Sequence, residues 1–226
     1  MQKYTTIYFD LDNTLLDFTA SERRAILQLL EKHGLPATAE NAKIYSQIND
    51  TYWKRFERGE IEKKEIFAGR FQTLLDTLGK SGDAEKMATD YFYFLSCGHD
   101  CMQGAEDVLE YVKGKGYLVY ITTNGVASTQ YKRIEECGLK QYFDAVFVSE
   151  EAGSQKPECE YFEYVMASSE EKDRSKIIVI GDSQSSDILG GINFGVDTCW
   201  LNLKGDKAQH IPTYEITKLC ELKEIL

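Results

Sequence analysis

Past Gly104 the chain alternates helix-patterned stretches, over 105–113, 128–137, 158–167 and 187–194, with short apolar runs at 117–122, 145–148, 176–180 and 197–201. Alternation of this kind leaves few folds open, because two parallel strands need a crossover between them and a helix is the usual one. One more apolar run, 5–9, stands near the start of the chain. Between it and Gly104 the pattern is helical throughout. Residues 20–33 carry Ile26, Leu29, Leu30 and His33 at helical spacing, with Gly34 as the stop. Helices also follow at 41–56 and at 61–78, the latter through Phe67, Phe71, Leu74, Leu75 and Leu78, and Asp83 is placed to cap a fourth. The expectation is an α/β fold: a doubly wound, Rossmann-like parallel sheet from residues 1–16 plus 99–226, with an all-helical domain inserted at 17–98. In such sheets ligands bind beyond the carboxyl ends of the strands.

A chain of 226 residues, 42% hydrophobic and 12% aromatic, suits one core domain carrying a smaller module. Its net charge of -11, with no clustered Lys and Arg, excludes a nucleic-acid groove, which needs such clusters to displace counterions. No stretch resembles a membrane span and no basic leader precedes the first strand, so a cytoplasmic protein that binds no membrane is expected. Six cysteines, Cys97, Cys101, Cys137, Cys159, Cys199 and Cys220, are scattered through a chain too large to need staples, and buried free thiols are expected. The segment Cys97-Gly98-His99-Asp100-Cys101 has no second ligand pair at zinc-finger spacing and reads as a connector.

Four polar motifs fall at strand ends. In the run Phe9-Asp10-Leu11-Asp12-Asn13-Thr14, Asp10 and Asp12 are two apart on an extended chain and share a side, as two carboxylates for chemistry or as parts of an Asx-rich turn. Thr122-Thr123-Asn124-Gly125 suits either a phosphate-binding strand-to-helix turn or a plain one. Lys156-Pro157 places a cation before a proline suited to the first position of the following helix. Gly181-Asp182 with Asp187 adds two more carboxylates. Asp10, Asp12, Asp182 and Asp187 against Lys156 leave a local excess of three negative charges. Each like-charge pair near 4 Å costs about 4 kcal/mol at an effective dielectric of 20, and a divalent cation resolves the excess. Oxygen ligands without His or Cys select a hard ion, and few protein ligands plus a phosphate suit Mg²⁺.

In this order, Asp10-x-Asp12-x-Thr14, Thr123-Asn124, Lys156-Pro157 and Gly181-Asp182-x4-Asp187, the motifs resemble those of the haloacid dehalogenase-like hydrolase superfamily, and the helical insertion resembles its C1-type cap. The resemblance implies a Mg²⁺-dependent phosphomonoesterase. It makes Asp10 the nucleophile that forms an aspartyl-phosphate, Asp12 the acid and then base, and Thr123, Asn124 and Lys156 the holders of the phosphoryl group. It further implies that Asp10, the Asp12 main-chain carbonyl and Asp182 ligate the metal, with Asp187 behind them. Dehalogenase members lack the second aspartate, so Asp12 points to the phosphatase side. Residues 53–71, Ser149-Glu150-Glu151, 186–193 and Cys199-Trp200-Leu201-Asn202 look like the bacterial pyrimidine 5′-nucleotidase branch. That resemblance implies a small phosphorylated partner, a nucleoside 5′-monophosphate, and a monomer or homodimer. Sugar phosphates or phosphoglycolate are the alternative substrates, and an inert binding scaffold is the remote alternative. Phe18, with Asn49 or Arg70, is expected to help line the leaving-group pocket.

Overall fold

The computed structural model describes residues 2–226. Strand β1 (Thr6–Phe9) precedes four helices: α1 (Phe18–Lys32), α2 (Ala39–Glu57), α3 (Lys63–Thr77) and α4 (Ala84–Ser96). The chain continues through α5 (Ala105–Gly114), β2 (Leu118–Thr123), α6 (Ala127–Glu136), β3 (Ala145–Val148), α7 (Ser149–Ala152) and α8 (Cys159–Ser168). It then adds β4 (Ile177–Gly181), α9 (Leu189–Phe194), β5 (Asp197–Leu201), β6 (Tyr214–Ile216) and α10 (Leu222–Ile225). Two compact units result. An α/β unit takes the chain up to Asp17 and resumes at Asp100–Leu226, while Phe18–His99 form a helical unit. None of the described helices is long and apolar enough to cross a membrane.

In the α/β unit the described strands form one six-stranded sheet in the order β3-β2-β1-β4-β5-β6, and every pairing is parallel. Side chains on a strand alternate between faces, so β1 feeds two cores. Ile7 and Phe9 join Val119, Ile121, Ile178 and Ile180 under the α5 residues Val108, Leu109 and Val112. Tyr8 joins Tyr120, Phe147 and Val179 under Tyr161, Phe162 and Val165 of α8 and Phe194 of α9. Burying each such side chain is worth about 1.5–3 kcal/mol, and a strand buried on both faces is what covered parallel sheets require. This α/β, doubly wound architecture is the expected fold class. The chain leaves and re-enters the unit at neighbouring points, where Asp17 N donates to Asp100 O over 2.8 Å.

Some details differ from expectation. Strand β6 has only three residues, too few for their alternation to stand out in the sequence, yet it closes the sheet edge beside β5. The helix expected from Asp187 begins at Leu189, after a wider helical turn at Gln184–Ile188. Pro157 is not the first residue of α8: Glu158 is the N-cap and the Lys156–Pro157 peptide is cis. Of the thiols, Cys199 is buried in β5, whereas Cys97, Cys101 and Cys220 are exposed, at a helix end, in a lone bridge to Leu16 and in a single 3-10 turn respectively.

The helical unit packs Ala25, Ile26, Leu29 and Leu30 of α1 against Tyr45, Phe71, Leu74, Leu75, Met87 and Tyr91 of the other three helices. Side chains cap two of its helix starts, one of them at the expected Asp83. Thr38 accepts from Asn41 N at 3.1 Å and Asp83 from Lys86 N at 2.9 Å. His33, at the end of α1, sets Nε2 2.9 Å from Asp90 Oδ2.

Candidate active site

Because β2, β1 and β4 are neighbours in a parallel sheet, their carboxyl ends lie side by side. Asp10 follows β1, Thr123 ends β2 and Asp182 follows β4. Asp10 N donates to Ile180 O at 2.8 Å, which fixes where its side chain begins. Both carboxylate oxygens of Asp10 are then held, Oδ1 by Lys156 Nζ at 2.7 Å and Oδ2 by Thr14 Oγ1 at 3.0 Å.

Lys156 is only 1% exposed, and its ammonium has three hydrogens to place. It donates to Asp10 Oδ1, to Asp187 Oδ1 at 2.7 Å and to Thr122 O at 2.8 Å. Its backbone is fixed as well. Asn124 Nδ2 donates to Lys156 O at 2.8 Å and Lys156 N donates to Asn124 Oδ1 at 3.0 Å, so the Asn124 amide joins the end of β2 to the lysine loop.

Asp187 folds back over the end of β4, where Ser183 N donates to its Oδ2 at 3.0 Å. Glycine at 181 is required for this: a Cβ there would lie 2.2 Å from Asp187 Oδ2. Asp182 is different. Trp200 Nε1 donates to its main-chain carbonyl at 2.8 Å, yet its carboxylate makes no hydrogen bond among the described residues. Oxygens of Asp10, Asp182 and Asp187 lie within 4.8 Å of one another.

The electrostatics follow from that crowding. Burial pushes the Asp10 carboxyl up to about 7, opposed by Lys156 and reinforced by Asp187 and Asp12. Asp182 is raised well above the usual carboxylate range, first by burial and then by Asp10 and Asp187. Burial by itself would lower the Lys156 ammonium, but Asp10 and Asp187 hold it above the ordinary lysine range. Three carboxylates around one lysine, one of them uncommitted and all offering oxygen, fit a hard divalent cation.

Asp12 lies outside this cluster. Its Oδ2 accepts from Gln130 Nε2 at 2.6 Å and its Oδ1 from Arg133 Nη1. Gln130 Nε2 also donates to Thr123 Oγ1 at 2.9 Å, and that hydroxyl accepts a second bond from Gly125 N at 3.1 Å. Gln130 and Arg133, both on α6, were not among the residues expected from the motifs. Three residues apart on one helix, they read as an ordinary polar face, although Arg133 is fully buried. Tyr161, also unanticipated, accepts from Thr123 N at 3.1 Å and donates to Phe147 O at 2.8 Å, bracing the β2 exit.

The residues expected to face a leaving group all lie in the helical unit. Phe18 is half-buried against the four-helix core. Asn49 and Arg70 are buried and bonded to each other, Arg70 Nη1 donating to Asn49 Oδ1 at 2.7 Å.

Comparison with known proteins supplies the family. The sequence model of the haloacid dehalogenase-like hydrolases matches residues 7–201. The HAD-hydrolase YfnB of Bacillus subtilis is 41% identical over 228 residues, spanning 100% of this chain and 97% of its own length. A crystal structure of YfnB bound to magnesium superposes with a TM-score of 0.95 at 40% identity, covering 100% of this chain and 99% of that one. The pyrimidine 5′-nucleotidase PynA of Streptococcus pneumoniae is 35% identical, over 99% of this chain and 95% of PynA. The pyrimidine 5′-nucleotidase YjjG of Escherichia coli is 32% identical, over 99% and 98% respectively. With the motifs at the strand ends, the all-parallel sheet and a match over most of its length, this chain belongs to the haloacid dehalogenase-like hydrolases.

Proposed function

We propose that the protein is a Mg²⁺-dependent phosphomonoesterase that hydrolyses pyrimidine nucleoside 5′-monophosphates through an aspartyl-phosphate. The observation that carries this reading is the setting of Asp10: a buried carboxylate fixed on one oxygen by Lys156 and on the other by Thr14, beside the uncommitted carboxylate of Asp182. The two nucleotidase relatives support the substrate, and magnesium in the YfnB crystal supports the ion.

Asp10, Asp182 and the Asp12 main-chain carbonyl would hold Mg²⁺, with Asp187 behind them, and the bound ion would neutralise charge on the phosphoryl group. In the first step an Asp10 carboxylate oxygen bonds to phosphorus as the ester P–O bond breaks, and Asp12 gives the leaving oxygen its proton. In the second, Asp12 takes a proton from water, the water oxygen bonds to phosphorus, and the Asp10–phosphorus bond breaks to release phosphate. In the structure Gln130 and Arg133 each donate to one oxygen of the Asp12 carboxylate and so fix its position. Thr123, Asn124 and Lys156 orient the phosphoryl oxygens. For Lys156 this means giving up one of three existing bonds, and for Asn124 it means a role exerted through the lysine loop it fastens.

Phosphate release from UMP, CMP and dTMP, measured beside ribose 5-phosphate and phosphoglycolate with Mg²⁺, tests the substrate. Preference for the pyrimidine nucleotides is expected; faster release from the sugar phosphates would move the assignment to them. Asp10→Asn should abolish turnover while the protein stays folded, and normal Mg²⁺-dependent turnover in that variant would refute the nucleophile.

A further inference from the structure

Helix α6 starts just beyond Thr123, and its N-cap, Val126, has no side chain able to accept from the first turn. A helix start leaves its first N–H groups unpaired unless an acceptor comes from elsewhere. Here it comes from α7: Ala127 N donates to Glu150 Oε2 at 2.9 Å, where a carboxylate also meets the positive end of the helix dipole. One turn further along α6, Tyr131 Oη donates to Glu151, 2.9 Å from Oε1 and 2.8 Å from Oε2. The sheet puts these acids there. Val148 pairs with Thr123 in parallel register, so the start of α7 emerges beside the turn that leads from β2 into α6. Both glutamates are exposed, and as caps alone they would serve only stability.

The clamped turn carries Gln130, however. The Gln130 N–H closes that turn on Val126 O at 2.9 Å. Its side chain is committed in full on the active-site side: Nε2 donates to Asp12 Oδ2 at 2.6 Å and to Thr123 Oγ1 at 2.9 Å, while Oε1 accepts from Arg133 Nη1 at 3.0 Å. Residues 127 and 131 share one flank of the helix, and 130 and 133 share another. One flank is thus held by the glutamates of α7 and the other holds Asp12. Both hydrogens of the Gln130 amide are spent, so no spare donor absorbs a shift of the first turn, and any such shift reaches the Asp12 carboxylate.

We propose that Glu150 and Glu151 are positioning residues: by clamping the first turn of α6 they set where Gln130 holds the carboxylate of Asp12. This rests on the phosphomonoesterase reading and gives Ser149-Glu150-Glu151 a part in it. The side-chain amide signals of Gln130 in the ¹⁵N-labelled protein, identified by their loss in Gln130→Leu, report the clamp without any turnover. They should move in Glu150→Ala and in Glu151→Ala, and return in Glu150→Gln, whose amide oxygen still accepts from Ala127 N. In hydrolysis of p-nitrophenyl phosphate, a generic phosphomonoester, Glu150→Ala should lower kcat about tenfold with KM changed by less than about twofold. Glu150→Gln should recover at least half of the wild-type kcat. Adding Glu150→Ala to Gln130→Leu should cost less than about twofold beyond Gln130→Leu alone, because the connection to Asp12 is already cut. Gln130 signals that stay put in either alanine variant, an unchanged kcat in Glu150→Ala, a glutamine variant as slow as the alanine one, or losses that multiply in full would each overturn the proposal. A wild-type protein that hydrolyses no phosphomonoester would refute the phosphatase reading instead, and the Gln130 signals would then decide the clamp by themselves.

Discussion

Two buried cations, one in each unit, meet opposite conditions. Lys156 has every hydrogen matched to a protein oxygen, two of them on carboxylates. Arg70 has its Nε and Nη2 unmatched and reaches the nearby carboxylate of Glu22 only through Asn49. A saturated cation fixes geometry, because moving any one partner exposes an unpaired charge. An unsaturated one rests instead on the faces of the rings around it, Tyr91, Phe71 and Phe92. The α/β unit thus fixes its cation through hydrogen bonds to acids, and the helical unit fixes its arginine through one hydrogen bond and aromatic faces.

The largest effect that would break this contrast is expected from Lys156→Met. It leaves Asp10 and Asp187 buried without their cation, and removing one partner of a buried pair costs about 3–5 kcal/mol. Urea unfolding should show a loss of that size together with loss of turnover; a loss below about 1 kcal/mol would mean that the three bonds are not what holds the acids. Next comes Arg133→Met, which removes one of two donors from Asp12. A general acid and base displaced by about 1 Å loses roughly 10²-fold in rate, so turnover per folded molecule should fall by that order while Asp10 and Lys156 remain bonded. Unchanged turnover would remove Arg133 from the machinery.

A third, smaller effect sharpens the helical side. Burial raises the Glu22 carboxyl above its ordinary 4.5, against the pull of Ser46, Asn49 and Arg70. The folded helical unit therefore holds that proton more tightly than the unfolded chain does. Its contribution is fully present below 4.5 and declines as pH rises through the higher folded value. Glu22→Gln should flatten that decline, read as the difference between wild-type and variant urea midpoints from pH 4 to 8. A difference that does not change with pH would show that Glu22 carries no linked proton.

Asp10, Thr123 and Asp182 could be placed from the sequence because each follows or ends an apolar run, and a parallel sheet aligns such ends without further information, whereas Lys156 lies beyond α7 and was singled out by its place before Pro157. The same logic does not reach Gln130 and Arg133. They sit on a helix whose pattern does not distinguish a polar face turned toward Asp12 from one turned toward water, and their meaning depends on where the β2-to-α6 turn sends the helix. Gly125 marks that turn, since a Cβ there would lie 2.3 Å from Gln130 Nε2. Strand β6 was hidden for another reason. Its three residues are too few to show a rhythm of their own, and distant partners hold them, Tyr4 Oη lying 3.2 Å from the Tyr214 hydroxyl across 210 residues. The wider turn before α9 likewise serves a side chain, Asp187, that must reach back to Ser183 N and Lys156.

The hydrogen bond from the Trp200 indole to the Asp182 carbonyl gives this molecule a native optical label. The sequence has two tryptophans, and Trp53 belongs to the helical unit. Trp200, nearly buried and bonded to the backbone of the one uncommitted acid, reports on the strand ends alone. A Trp53→Phe protein, excited beyond the tyrosine band, would therefore emit from a single tryptophan at the candidate metal centre, so that ion binding and phosphoryl turnover can be followed by light without attaching a dye.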